Sequence, residues 1–175
     1  MFKLIQSKTS FQGKVFDVRH DRVRLPNGQF TTLDIIAHPP AVVLLPVDNT
    51  NLIWFVRQYR HAAERLILEL PAGVIEPDET PEDCALREIR EEIGMSANQI
   101  QKIGEFFLAP GYSSEYLYIF LATGLEPDPL PGDDDEFISV EKISIDMALT
   151  MAEEGRINDA KSLATLLLAR PYLRR

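Results

Sequence analysis

Hydrophobic and polar positions change their period along the chain, and the changes divide it into elements. Short extended runs come first, at Val15-Phe16-Asp17-Val18 and Arg22-Val23-Arg24-Leu25. A turn signal at Pro26-Asn27-Gly28 and a β-branched, apolar stretch over 31–37 follow. Pro39 and Pro40 mark a boundary, so residues 1–40 read as a small N-terminal β unit and 41–175 as the main domain. In that domain 41–47 and 52–56 predict strands hinged on Asp48-Asn49-Thr50-Asn51, and 66–70 a further apolar run before Pro71-Ala72-Gly73. Strands at 104–108 and 116–123 flank Ala109-Pro110-Gly111-Tyr112. A loop rich in Pro, Gly and Asp covers 126–135. Helices over 145–154 and 159–170 are expected to stop at Gly155 and Pro171. Strands and helices in a mixed order, without regular βαβ alternation, predict an α+β sandwich.

The helix over 80–93 carries the strongest local signals. Thr80 suits the N-cap, Pro81 the first helical position, Asp83 the acidic position of a capping box, and Gly94 the C-terminal stop. On a wheel of about 100° per residue, Leu86, Ile89 and Ile93 fall on one stripe with Ala85 beside it, the side expected to face the core. Glu88, Glu91 and Glu92 share another arc, and Glu88 and Glu92 stand one turn apart. Like charges at that spacing cost a helix a few tenths of a kcal/mol, a cost offset when a cation resides there. Clustered carboxylates are the ligands that Mg²⁺ or Mn²⁺ prefer. The plain alternative is a solvated acidic face. Arg87, four residues before Glu91, can pair with it and hold that carboxylate in place.

Composition narrows the chemistry. The chain has 175 residues, 45% apolar and 26% charged, enough for one core without staples. Eighteen basic against 27 acidic residues leave a net charge of −9, which argues against nucleic acid and anionic membrane surfaces as partners. A phosphate substrate remains compatible if divalent ions stand between it and the protein. One cysteine, Cys84, cannot make an internal disulfide, and residues 1–10 lack the apolar stretch of a signal peptide. The expectation is a cytoplasmic protein. His20, His38 and His61 show no zinc-ligand spacing, and Cys84 has no His partner at a recognisable spacing.

Gly73, five residues, Glu79, seven residues, then Arg87-Glu88-Ile89-Arg90-Glu91-Glu92-Ile93-Gly94-Met95 is a full match to the Nudix box. Such a pattern arises by chance on the order of once in 10⁷ chains of this length. The sequence therefore resembles the Nudix hydrolases. The resemblance implies a Nudix-like α/β/α sandwich with a mixed sheet, preceded by a small antiparallel β unit. It also implies hydrolysis of a nucleoside diphosphate linked to another group, with Mg²⁺ or Mn²⁺ as cofactor. Under it Glu88 and Glu92 would be direct metal ligands, Glu91 a ligand or a base just outside the ligand set, and the Ala72 carbonyl a further ligand. Arg87 and Glu79 would brace the loop against the helix.

Beyond the box, Gln58-Tyr59-Arg60, Glu69-Leu70-Pro71-Ala72-Gly73 and Ala109-Pro110-Gly111-Tyr112-Ser113-Ser114-Glu115 are similar to the ADP-ribose pyrophosphatase branch. Pro110, fifteen residues past Met95, looks like its substrate signature. By that resemblance Arg60 would contact the diphosphate, Ala109, Pro110 and Gly111 would lie along the substrate, and Glu115 would bind the terminal ribose. The plain alternatives are an exposed strand-end arginine, a β-turn and a solvent-facing glutamate. A carboxylate in Asp133-Asp134-Asp135-Glu136 would act as general base, Glu136 first and Asp135 second. The implied reaction takes ADP-ribose or a related ADP-sugar to AMP and ribose 5-phosphate in a homodimer. A GDP-sugar substrate and a non-catalytic nucleotide sensor are the alternatives. One departure stands out: Thr31-Thr32-Leu33-Asp34 lacks the basic residues some relatives place there. Phe16, Phe30 and Trp54 are candidate base-stacking aromatics, with buried core as the favoured plain alternative, and the terminal helix, with Leu163, Leu166, Leu167 and Leu168, reads as core or interface.

Overall fold

The computed structural model describes residues 1–132 and 137–173. By its contacts the chain divides into two compact units, Met1–Pro40 with Phe106–Leu117, and Ala41–Glu105 with Tyr118–Arg175.

In the first unit β1 (Lys3–Gln12), β2 (Asp17–Arg24) and β3 (Phe30–Ala37) form an antiparallel sheet in the order β1-β2-β3. Gln12 lies opposite Asp17, and the turn between them closes with Gly13 N–H donating to the Phe16 carbonyl at 3.1 Å. Val15 and Phe16 therefore belong to a turn rather than to a strand, and Phe16 is exposed rather than buried. Phe30 is likewise exposed, with the Arg22 guanidinium over its ring at 5.2 Å. β1 went unnoticed in the sequence because all ten of its residues are exposed, so no buried face imprints an alternation. The Phe106–Leu117 segment is strapped to β3: Ile36 N–H donates to the Tyr112 carbonyl, Ser114 N–H to the Ile36 carbonyl, and His38 N–H to Ser114 Oγ.

The second unit holds a seven-stranded sheet. β4 (Ala41–Val47) lies at its centre in the order β10-β5-β4-β9-β8, with β5 (Leu52–Arg60), β8 (Met95–Phe107), β9 (Tyr116–Pro127) and β10 (Ile138–Ser144). β6 (Arg65–Glu69) pairs with β5, and β7 (Ala72–Val74) pairs with β4. Every residue of β4 is buried, which requires cover on both faces of the sheet. Val42 and Leu44 meet α1 (Pro81–Ile93) through Cys84, Ala85, Ile89 and Ile93, with Phe120 and Ala122 of β9 in the same cluster. Alternation leaves Val43 and Leu45 for the opposite face, where α3 (Ala160–Leu173) meets β4 beside α2 (Ile145–Glu153). The helices, the larger sheet and the small antiparallel sheet ahead of it agree with the expected α+β class.

Several boundaries differ from the sequence reading. β8 begins directly behind Gly94, where the positive φ of +69° ends α1 and turns the chain at once into a strand. β10 was not foreseen; it mixes half-buried and exposed positions and is held by seven register pairs to β5. α3 runs through Pro171 instead of stopping before it, and ends two residues later at Leu173. Leu86, placed on the core stripe, is 38% exposed, and Cys84 takes a buried place beside Ala85. Trp54 is only half-buried; its Nε1–H donates to Asp48 at 2.8 Å and Lys142 lies over its ring.

Candidate active site

α1 is fixed at both ends by the signals its sequence carries. Thr80 Oγ1 accepts from Asp83 N–H at 3.1 Å, and Gly94 N–H donates to the Ile89 carbonyl. With the helix start set, Glu88 and Glu92 fall toward β7 and are both buried, at 8% and 9% exposure, on the same side as the apolar residues. Buried carboxylates require partners or a cation. β7 supplies the near wall, pinned to β4 with Ala72 opposite Val43 and Gly73 opposite Val42. Ala72 N–H donates to Glu92 Oε2 at 3.0 Å. A Cβ built on Gly73 would lie 1.8 Å from Glu88 Oε1, so the carboxylate occupies the space a side chain would fill. Ala72, Glu88 and Glu92 are thus brought together around β7.

Arg87 gathers the rest. Its Nη1 donates to Glu88 Oε1 at 2.6 Å and to Glu91 Oε2 at 2.8 Å, the second being the pairing expected from their spacing. Its Nε and Nη2 hold Glu79 as a fork at 2.9 and 3.0 Å, and Nη2 also reaches the Val74 carbonyl. Glu79 Oε2 in turn accepts from Glu76 N–H, closing the loop before the helix. The Arg87 hydrogen bond holds the Glu79 carboxyl down at about 2, and the same carboxylates raise Arg87 above its ordinary value. Among the described residues no three His, Cys, Asp or Glu side chains are gathered closely enough to hold a metal ion as they stand; Glu88 and Glu91 both face the Arg87 guanidinium. The all-oxygen donor set, the glycine cradle and the mutual approach of like charges fit a hard divalent cation with open positions for water and phosphate.

Behind this wall Cys84 is fully buried, and burial pushes its thiol up. Arg60 ends β5 with its side chain 43% exposed and makes a fork on Glu69 at 2.8 and 2.9 Å. Glu92 adds to the field that raises Arg60 above its ordinary value, after the Glu69 hydrogen bond that dominates. In the first unit Ala109 to Tyr112 form a β-turn, Tyr112 N–H donating to the Ala109 carbonyl at 3.1 Å. Pro110 and Gly111 are exposed at its tip, and a Cβ on Gly111 would meet nothing within 4 Å. Glu115 is half-buried, its N–H on Ser113 Oγ and its carbonyl on Leu108 N–H. Asp135 and Glu136 lie outside the described residues.

Sequence reasoning missed Lys161 and Ser162 of the last helix and Asp159 just before it, and gave Glu69 no role. Lys161 forms an ion pair with Glu69 across 92 positions, and no local pattern announces a partner that distant. Among the described residues, no helix is long and apolar enough to cross a membrane.

A glycine loop, an acidic helix that follows it and an arginine brace holding the two together define a Nudix platform. The NUDIX domain matches residues 37–166, and the chain belongs to that family of hydrolases. The nucleoside diphosphate sugar hydrolase N-terminal domain matches residues 2–32. An ADP-ribose pyrophosphatase of Bacillus subtilis (strain 168) is 39% identical over 91% of this chain and 88% of its own. A methanol dehydrogenase activator of Bacillus methanolicus is 37% identical over 92% and 88%. Among solved structures, an ADP compounds hydrolase superposes with a TM-score of 0.88 at 25% identity, covering 99% of this chain and 94% of that one.

Proposed function

We propose that the protein hydrolyses the pyrophosphate of ADP-ribose or a related ADP-sugar, releasing AMP and ribose 5-phosphate, with Mg²⁺ or Mn²⁺ as cofactor. The observation that carries this reading is the carboxylate cradle of Glu88, Glu92 and Glu91 around Ala72 and Gly73. Relatives named for ADP compounds supply the substrate class. Glu88, Glu92, Glu91 and the Ala72 carbonyl would hold the divalent ion, which would supply charge neutralisation and a lowered pKa for water. The chain's own residues do the rest. Arg87 holds Glu88 and Glu91 in orientation through its Nη1 hydrogen bonds. Arg60 turns its remaining N–H groups to the diphosphate, a geometry a guanidinium suits. Ala109, Pro110 and Gly111 lie along the substrate, and Glu115 takes the terminal ribose hydroxyls. Glu136, with Asp135 as second choice, accepts the proton of the attacking water as the phosphorus–oxygen bond breaks.

The proposal includes a cytoplasmic homodimer. The edge strand β1 supports it, since Phe2, Leu4, Ile5 and Phe11 are all exposed along or beside it. The test is incubation with ADP-ribose, other ADP-sugars and GDP-mannose, with Mg²⁺ and with chelator, and identification of the products. AMP from ADP-ribose, abolished by chelator, is expected. Turnover of GDP-sugars alone would reassign the substrate, and tight binding without turnover would make the protein a sensor.

A further inference from the structure

Beside the cradle lies a cluster of charges that the reaction as described does not use. Glu69 is 2% exposed at the end of β6. Its Oε1 and Oε2 receive Nε and Nη2 of Arg60, and Oε2 also receives Lys161 Nζ. Lys161 is paired a second time, with Asp159 at 3.1 Å. Asp159 Oδ2 accepts from Ser162 N–H and Oγ at the start of α3, and Ser162 Oγ accepts from Leu70 N–H at 2.8 Å. The first turn of α3 is therefore docked on the last residues before Pro71-Ala72-Gly73 by an ion pair and a hydrogen bond. Side-chain exposure is 3% for Glu69, 13% for Lys161 and 17% for Asp159, against 43% for Arg60. Arg60 is the one member of the cluster open enough to meet a ligand.

Two carboxylates and two cations balance in this cluster, and the balance has a consequence for Arg60. Burial raises Glu69, but the Arg60 hydrogen bond and the Lys161 charge outweigh it and keep the carboxylate ionised. If Lys161 were absent, the whole charge of Glu69 would fall on Arg60 and oppose an incoming diphosphate. With Lys161 present, Glu69 acts as a mount that fixes the guanidinium plane while its charge is shared. We propose that Lys161 is a positioning residue for the diphosphate: it acts through Glu69 to orient Arg60 and to leave its charge available to the substrate. This rests on the pyrophosphatase reading above and adds to it a residue of the last helix.

The test uses the full chain and its Lys161→Met, Lys161→Arg, Arg60→Ala and doubly substituted variants, each first shown folded by a cooperative melt. With ADP-ribose and Mg²⁺, Lys161→Met is expected to raise KM roughly tenfold with kcat within about threefold. Lys161→Arg should restore KM, and Lys161→Met should add little in the Arg60→Ala background. A merely structural lysine would lower the melting temperature without this KM pattern. An unchanged KM, or a KM effect that persists in full without Arg60, overturns the proposal. If the wild type does not turn over ADP-ribose, the substrate reading fails separately. Calorimetric binding of ADP in chelator then decides, with weakening by Lys161→Met rescued by Lys161→Arg expected. Equal ADP affinities, or no ADP binding by the wild type, overturn the role of Lys161.

Discussion

At Glu92 the role in charge and the role in scaffold can be separated by one atom. Its Oε2 accepts Ala72 N–H, a bond that a glutamine carbonyl oxygen can still accept, whereas the negative charge is lost. Glu92→Gln should therefore cut kcat at least ~100-fold, the scale of removing a charge-stabilising group from a reacting centre, while the melting temperature stays close to wild type. Near-normal turnover would remove Glu92 from the metal set. Gly73 poses the complementary case. An alanine Cβ would stand 1.8 Å from Glu88 Oε1, inside any allowed contact, so the carboxylate must swing away. Gly73→Ala is expected to lose activity on the same ~100-fold scale, and a structure of the variant should show Glu88 displaced. Activity retained with Glu88 unmoved would mean the cradle is not needed.

The same brace that orders the loop before α1 makes that element acid-sensitive. Glu79 is held at about 2, below its ordinary value of 4.5, chiefly by the Arg87 hydrogen bond. A carboxyl depressed on folding contributes stability above its unfolded value and loses it as pH falls toward the folded one. The stability gap between wild type and Glu79→Gln should therefore be full above about pH 5 and close between 4.5 and 2, read by denaturant melts across that range. A gap independent of pH would separate Glu79 from the brace. α1 was legible in the sequence because its determinants are local: the Thr80 cap, Pro81, Gly94 and carboxylates spaced by one turn. β1 and β10 were not, since exposed or half-exposed strands are specified by their partners rather than by a buried face. The pairing of Glu69 was hidden for a different reason: Lys161 comes to it from the last helix. The exposure of Leu86 shows the limit of a wheel, which gives angles but not the width of the surface a sheet can cover.

Over the whole molecule, a net charge of −9 sits on a protein proposed to bind a diphosphate, so its cationic groups must be few and well placed. Arg60 and Arg87 are both committed to carboxylates, which fixes their geometry before substrate arrives. The first unit has the opposite character, with apolar side chains on an edge strand facing solvent. Sedimentation of the wild type should give twice the chain mass, and Leu4→Asp should shift it to a single chain. A monomeric wild type would overturn the dimer. The buried sulfur behind α1 offers one more use. Cys84 is the sole cysteine, fully enclosed, with Sγ against the Val74 carbonyl and Arg87. A thiol reagent can reach it only when α1 parts from β7, so the labelling rate of the native protein is a clock for that opening. It should run far slower than for an unfolded thiol and quicken in Glu79→Gln, which loosens the same joint. Evolution has left in this chain a single-site reporter, with no engineered label needed, on the breathing of the joint between α1 and β7.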